Sequence, residues 1–234
     1  QHDPAYGLKF TRVNGTYDRG GRRTNKIEAE ALVRRIVEHA ENSAHLSLGV
    51  AAFSSAQRGA IEELLEFERR RNDALDALLR EGKPEDVFVK NIENVQGDER
   101  DVILVSIGYG PEQPGGRLPS MSFGPVNWDG GERRLNVLFT RARLRCEIFA
   151  SFEPGDIDLN RTTKNGPRVL KRYLEFAKTG ILDEKVPLGL DADSPFEVDV
   201  ANVIRGLGFE VDHQVGSGGF RIDLGVRNPD RPGQ

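Results

Sequence analysis

Apolar residues follow two alternating patterns along the first 180 positions. Near-continuous apolar runs, such as VILVSI at residues 102–107, are typical of strands buried on both faces of a parallel sheet. Apolar residues three and four positions apart, such as Ala29, Leu32, Val33 and Ile36, predict amphipathic helices. The predicted elements are strand 8–13, helix 24–41, strand 46–53, helix 55–81, strand 86–92, strand 101–109, helix 130–142, strand 145–151 and helix 166–179. This alternation predicts an α/β fold, a parallel sheet flanked by helices.

The pattern changes after residue 180. An acidic stretch containing proline and glycine is typical of a linker. Ser194 and Pro195 then form a helix start, because serine caps helices and proline suits the first helical position. Two short strands, at 209–215 and 219–227, follow this helix. The chain therefore divides into a domain at 1–180, a linker at 181–193 and a second, truncated α/β domain at 194–234.

One loop, at residues 111–129, is longer than a compact domain usually contains without a purpose. It carries two aromatic residues, Phe123 and Trp128. Such residues either stack on a nucleic-acid base or pin the loop to the core. The sequence leaves both readings open.

Composition is that of an ordinary globular chain. The 234 residues carry a net charge of −4, with 37% hydrophobic and 30% charged residues. This charge argues against a generally basic nucleic-acid binder, although arginine clusters could still form a local track. A single cysteine excludes an intrachain disulfide. The sequence shows neither a membrane-spanning apolar run nor a signal peptide, so we expect a cytoplasmic protein without a membrane partner.

Two strings carry the clearest chemistry: VQGDERDVILVSIGYG at 95–110 and GGERRLNVLFTRAR at 130–143. In the first, Gln96, Gly97 and Glu99 combine a permissive backbone with an amide and a carboxylate that could bond a ribose. An ordinary polar loop is the alternative. In the second, arginine supplies a planar, permanently charged fork suited to phosphate.

Together the two strings resemble the fifth and sixth conserved motifs of superfamily-one DNA/RNA helicases, in the branch whose sixth motif reads RRLNVALTRAR. The resemblance implies a RecA-like C-terminal lobe of a P-loop NTPase. It implies that Gln96, Gly97 and Glu99 line the nucleotide site and that Arg141 is the arginine finger on the γ-phosphate. Arg134, in the same motif, is expected to help bind the nucleotide.

Two further segments are similar to the same family. SLGVAAFSSAQRGAIEELL, at 47–65, resembles its fourth motif, and Arg58 would be a second phosphate contact. Ser54 and Ser55 equally suit a capped helix with nothing bound. RTNKIEAEALVRRIVEHA, at 23–40, resembles the NxxEA helix of the family.

The sequence contains no GxxxxGK[ST] phosphate loop and no apolar strand that ends in an Asp-Glu pair. It begins at Gln1, and its single methionine is Met121. We therefore expect part of a longer protein, without the N-terminal RecA-like lobe. Use of ATP and Mg²⁺ would require that missing lobe, and this chain alone should be inactive.

The tail resembles the opening of a restriction-endonuclease-like domain of the very-short-patch-repair type. It reads SPFEVDVANVIRGLGFEVDHQVGSGGFRIDLGV. The resemblance makes Asp223 a metal ligand and Glu197 and Gln214 accessory residues. A second carboxylate ligand would lie beyond Gln234. The alternative role for Asp223 is a salt bridge at a strand end.

The combined hypothesis is the C-terminal part of an ATP-dependent DNA helicase fused to a nuclease, acting in DNA repair or defence. Its partners would be DNA and the missing lobe. Two alternatives stay open. One is an RNA helicase lobe, and the other is a non-catalytic nucleic-acid-binding module.

Overall fold

A computed structural model describes residues 6–80, 82, 84–180, 195–215 and 222–226. For residues 195–197, 213–215, 222 and 223 it describes the backbone alone. The chain divides into two compact units, Gln1–Leu182 and Asp183–Gln234. The predicted linker at 181–193 lies outside the described residues.

The first unit is built on a five-stranded parallel sheet. Its strands are β1 (Gly7–Arg12), β2 (Leu48–Ala52), β3 (Phe88–Asn91), β4 (Arg100–Ser106) and β5 (Ala142–Ala150). They lie in the order β1-β5-β4-β2-β3, and every neighbouring pair is parallel. Alternate residues of β4 face opposite sides: Val102 packs into one apolar cluster and Ile103 into the other. The predicted parallel sheet flanked by helices is confirmed.

Three helices cover one face of this sheet. They are α1 (Lys26–Asn42), α2 (Ser55–Arg69) and α3 (Asp73–Leu79). The predicted stripe on α1 is buried, with Leu32 and Ile36 fully enclosed. Burial of such side chains contributes about 1.5–3 kcal/mol each relative to exposure. This apolar face fixes α1 against the sheet.

The prediction of a single helix at 55–81 is wrong, because α2 ends at Arg69 and α3 begins at Asp73. The Asn72 side chain accepts a hydrogen bond from the Leu75 N–H at 2.9 Å and caps the start of α3. The apolar periodicity continues from α2 into α3, so the sequence pattern did not reveal where α2 ends. Only the cap separates the two helices.

The opposite face carries α4 (Gly131–Phe139) and α5 (Asn165–Thr179). The loop at 111–129 also packs there, because Leu118, Met121 and Phe123 are buried in the same apolar cluster. The Asn127 side chain donates to the Met121 carbonyl at 2.8 Å and accepts from the Phe123 N–H at 2.6 Å. The loop is therefore an integral layer of the fold.

The helix predicted at 130–142 is three residues too long at its C-terminal end. Thr140 Oγ1 donates to the carbonyls of Asn136 and Val137, at 3.0 and 3.1 Å, and closes the last turn of α4. The Arg100 N–H donates to the Arg141 carbonyl at 3.1 Å, which draws the next residues into the sheet. Arg141 therefore lies between α4 and β5, not on the helix as predicted.

The second unit contains α6 (Pro195–Gly206), β6 (Val211–Val215) and β7 (Ile222–Val226). The two strands pair antiparallel, with Val211 opposite Val226. The Arg205 guanidinium donates to the Val211 carbonyl at 3.0 Å and ties the end of the helix to the hairpin. The predicted order of helix, strand and strand is present.

Candidate functional site

Glu99 and Arg141 meet at the edge of the sheet where β4 and β5 begin. Arg141 Nη1 lies 3.4 Å from Glu99 Oε1. Arg141 also donates from Nε to the Val137 carbonyl at 3.0 Å and from Nη2 to Thr140 Oγ1 at 3.3 Å. The arginine side chain is 20% exposed and the glutamate side chain 54% exposed. The two motifs predicted to act together are thus in contact.

The turn that presents Glu99 has a defined backbone conformation and is tied to a neighbouring strand of the sheet. Gly97 has φ +87°, a backbone conformation that side chains with a Cβ rarely adopt. Beside it, Lys90 Nζ lies 2.6 Å from the Asp98 carboxylate and ties the turn to β3. Gln96 and Gly97 are exposed at the tip. The predicted turn residues therefore lie on one accessible surface.

This arrangement has a clear chemical capacity. A carboxylate accepts hydrogen bonds from hydroxyl groups, and a guanidinium fork donates several bonds to an anion. Separating a partly exposed ion pair costs about 0–1 kcal/mol. An incoming anion could therefore replace Glu99 as the partner of Arg141 at little energetic cost.

Arg143, two residues further on, is held differently. It donates to Asp101 at 3.0 Å, to Glu85 at 2.9 Å and to Ser47 at 2.8 Å. The bonds from Arg143 and Ser47 hold the pKa of Glu85 below its usual range. Because these three partners already bind its guanidinium, Arg143 has a structural role at the same edge of the sheet.

Arg58 and Arg134 lie apart from the Glu99–Arg141 pair. Arg58 is in the first turn of α2, beyond the end of β2, and pairs with Glu62 at 3.5 Å. Strands of this length separate the two edges of the sheet by roughly 20 Å. Arg134 lies near the start of α4 and donates to the Asp129 carbonyl at 3.1 Å. The structure does not bring either arginine to Arg141.

A buried polar network at the opposite edge of the sheet was missed in the sequence. Its centre is Glu28, which is fully buried. One carboxylate oxygen accepts from Ser106 Oγ at 2.7 Å and from the Gly108 N–H at 2.6 Å. The other accepts from Ser151 Oγ at 2.9 Å and from Asn25 Nδ2 at 3.5 Å. Burial raises the pKa of Glu28 to about 7, although the bonds from Gly108, Ser106 and Ser151 oppose that rise.

Gln57 completes this network and joins α2 to α1. Its Oε1 accepts from the Asn25 N–H at 2.8 Å, while Nε2 donates to the Asn25 carbonyl at 3.1 Å and to Ser106 Oγ at 3.0 Å. Gln57 is therefore a structural bridge, although it directly precedes Arg58 in the segment that resembles the fourth motif.

The NxxEA string was the available signal for this network. Glu28 is three residues after the cap Asn25, where a capping-box glutamate would turn back to the cap N–H. Because Gln57 already occupies that N–H, Glu28 turns inward instead. Local capping rules could not predict this, since the competing acceptor lies 32 residues away along the chain.

The tail residues are partly described. Glu197 lies on α6, Gln214 on β6 and Asp223 on β7, the elements predicted for them. Their side chains lie outside the described part of the structure. Among the described side chains, no group of three or more His, Cys, Asp or Glu is arranged to hold a metal ion. None of the helices in the described residues has the length and hydropathy of a membrane span.

Two known proteins are similar in sequence to this chain. "Uncharacterized ATP-dependent helicase MG140" of Mycoplasma genitalium is 37% identical over 164 residues, which are 66% of this chain and 14% of that protein. The "Uncharacterized ATP-dependent helicase MG140 homolog" of Mycoplasma pneumoniae is 35% identical over 157 residues, again 66% of this chain and 14% of the relative. The chain thus spans about one seventh of either relative.

A family match covers the whole parallel sheet and stops before the second unit. Residues 4–153 match the family described as AAA domain, from before β1 to beyond β5. This range also includes Glu99, Arg141 and the Glu28 network. The chain belongs to the AAA domain family, and the matched region is a helicase-like domain homologous to ATP-dependent helicases.

Proposed function

We propose that this chain is the C-terminal part of an ATP-dependent DNA helicase. The contact between Glu99 and Arg141 carries the proposal, because it joins a hydroxyl acceptor and an anion-binding fork on one accessible edge. ATP presents both complementary groups, ribose hydroxyls and the γ-phosphate. The two relatives, both named as ATP-dependent helicases, support the same activity.

The nucleotide would lie between this edge and a partner lobe. In this proposal Glu99 and the backbone at Gly97 bond the ribose, and Gln96 lines the same surface. Arg141 turns from Glu99 to the γ-phosphate and stabilises the negative charge that spreads over its oxygens during transfer. Mg²⁺ would be bound by the partner lobe together with the phosphates. Arg58 and Arg134 lie apart from the Glu99–Arg141 pair, and their roles as a second phosphate contact and a nucleotide-binding residue stay predictions.

Turnover in two purified proteins tests this proposal. The 234-residue chain should hydrolyse no ATP above background, because it contains no phosphate loop. In this proposal the longer protein joins the chain to a lobe with a phosphate loop, and it should hydrolyse ATP with stimulation by DNA. Robust turnover by the shorter chain, abolished by a substitution within it, would contradict the proposed division of labour.

We also propose that residues 194–234 begin a nuclease domain, which favours DNA over RNA as the substrate. The placement of Asp223 on β7, paired with the preceding strand, supports this proposal. In the longer protein, Asp223→Asn should abolish Mg²⁺-dependent DNA cleavage and leave DNA-stimulated ATP hydrolysis near its original rate. Glu197→Gln should weaken cleavage less. Intact cleavage by Asp223→Asn would refute the assignment.

A further inference from the structure

The structure separates the roles of the two aromatic residues in the loop at 111–129. Phe123 is fully buried and packs on Phe152, with ring centroids 5.5 Å apart. Trp128 is 54% exposed and is the only tryptophan of the chain. Phe123 therefore pins the loop, and the indole of Trp128 contributes little to the core. A large exposed aromatic ring on an anchored loop is available for binding.

The position of the Trp128 ring is supported by Arg134. The Arg134 guanidinium carbon lies 5.7 Å from the ring centroid. The same guanidinium donates to the Asp129 carbonyl at 3.1 Å and to the Pro125 carbonyl at 3.5 Å. Because these bonds fix the arginine, the ring rests on an ordered cation. The conformational entropy lost when a ligand stacks on Trp128 is correspondingly smaller.

The starts of two helices lie beside the end of the loop that carries Trp128. A Cβ on Gly131 would lie 1.9 Å from the Val126 carbonyl oxygen, and a Cβ on Gly166 would lie 1.8 Å from the same oxygen. Only glycine fits at both places, so the first turns of α4 and α5 adjoin Val126. Lys164, just before α5, reaches Asp129 next to Trp128 at 3.4 Å.

Basic residues outnumber acidic ones in the end of the loop that carries Trp128 and in the starts of α4 and α5 beside it. We call the following residues the Trp128 patch: Trp128, Arg133, Arg134, Lys164 and Arg168, together with the acidic Asp129 and Glu132. Four cations thus stand against two carboxylates, in a chain whose total charge is −4. Arg133, Lys164 and Arg168 are exposed. Such a local excess of positive charge favours binding of a polyanion.

We infer that the Trp128 patch binds single-stranded nucleic acid, with one base stacked on Trp128 and backbone phosphates on Arg133, Lys164 and Arg168. A polyanion without bases would bind through the cations alone, whereas an unpaired nucleic-acid base also stacks on the flat indole ring. Bases within a duplex are already stacked on each other and do not offer this face. The inference extends the proposed helicase function, but binding at this patch requires neither ATP nor Arg141.

A second exposed aromatic residue provides a matched control. Phe67 on α2 is 49% exposed and lies under the Arg71 guanidinium, 4.1 Å from its carbon to the ring centroid. The groove beside it is lined by four acidic residues, Glu30, Glu38, Glu63 and Glu68, and by three basic ones, Arg22, Lys26 and Arg34. Phe67 therefore matches Trp128 in exposure and cation stacking but lacks the excess of positive charge.

The single tryptophan allows a direct test on the chain itself. Oligodeoxythymidylate and oligouridylate should each quench its fluorescence in a saturable titration, because a stacked base quenches the indole. Comparison of the two dissociation constants distinguishes DNA from RNA as the source of the strand. Blunt duplex DNA of equal length should quench weakly. Equal quenching by duplex and single strands, or no quenching by either strand, would refute base stacking.

Variants measured by anisotropy of a labelled oligonucleotide complete the test. Trp128→Ala should weaken binding about 5- to 150-fold, the range expected from loss of one stacked base, and Trp128→Phe should recover most of it. Phe67→Ala should bind like the unmodified chain. Arg133→Gln and Arg168→Gln should each lower the slope of log affinity against log salt by about 0.7. Unchanged affinity in Trp128→Ala would overturn the inference, whereas loss of ATP turnover by Arg141 variants would bear only on the helicase proposal.

Discussion

The two edges of the parallel sheet each carry a glutamate, and the two glutamates have opposite environments. Glu28, where β4 and β5 end, is fully buried and accepts hydrogen bonds from four donors. Glu99, where β4 begins, is 54% exposed and has the Arg141 guanidinium beside it at 3.4 Å. The first environment leaves no acceptor capacity for a ligand, and the second leaves most of it.

This contrast distinguishes a buried network that stabilises the fold from an exposed ion pair that can bind a ligand. Breaking a buried, satisfied network leaves its members without partners, which costs about 1–3 kcal/mol for each polar group. Breaking an exposed ion pair costs about 0–1 kcal/mol. The Glu28 network therefore holds α1, α2, β4 and the segment after β5 together, while the Glu99–Arg141 pair can exchange partners. We expect substitutions at one edge to change stability and substitutions at the other to change turnover.

The largest expected effect is at Arg141. In the longer protein, Arg141→Lys keeps the charge but loses the planar fork, so ATP turnover should fall roughly 10³- to 10⁵-fold. The melting temperature should stay within a few degrees. Arg143→Lys is the matched control, since Arg143 is already bonded to Asp101, Glu85 and Ser47. Equal losses of turnover in the two variants would show that Arg141 is not the finger.

The next effect concerns stability and pH at Glu28. Its folded-state pKa of about 7 exceeds the ordinary value of 4.5. Stability from this group is therefore fully present below pH 4.5 and is lost as the pH rises to about 7. The shift corresponds to roughly 3 kcal/mol. Urea unfolding of Glu28→Gln should lack this fall, because an amide does not titrate.

Glu147 provides the opposite sign as a control. Burial alone would raise its pKa, but the hydrogen bonds and charge of Arg35, together with the charge of Arg145, lower it. Its contribution is present above the ordinary pKa and is lost as the solution is acidified. Glu147→Gln should therefore lower the free energy of unfolding by a constant amount between pH 4.5 and 7, and should remove the further loss of stability on acidification below pH 4.5. The same pH profile in both variants would contradict the assignment to Glu28.

The smallest expected effect is at Glu99. Glu99→Gln should change the free energy of unfolding by about 1 kcal/mol or less, because the pair is partly exposed. In the longer protein, affinity for ATP should fall severalfold through the weaker acceptor, with little loss of maximal turnover. A large stability loss with normal nucleotide affinity would mean that the two edges do not differ as described.

The sequence by itself determined the order of the elements and the parallel α/β class. Apolar runs and helical periodicity depend on burial, which every strand and helix records locally. The resemblance to helicase motifs assigned Glu99 and Arg141 to one site, and the structure brings the two side chains into contact because their motifs flank the neighbouring strands β4 and β5. Where a local polar group overrides apolar periodicity, prediction failed: Asn72 divides the helix expected at 55–81, and Thr140 ends α4 before Arg141.

Only the tertiary structure decided which polar residues are buried together. The bond from Ser151 to Glu28 joins positions 123 apart along the chain, and the bond from Gln57 to Ser106 joins positions 49 apart. No local pattern encodes such partners, because each depends on where distant strands end in space. The same applies to Trp128, whose exposure follows from how the loop packs around Phe123. Hydrophobic pattern fixes the layers, and long-range hydrogen bonding fixes which polar side chains remain free to bind.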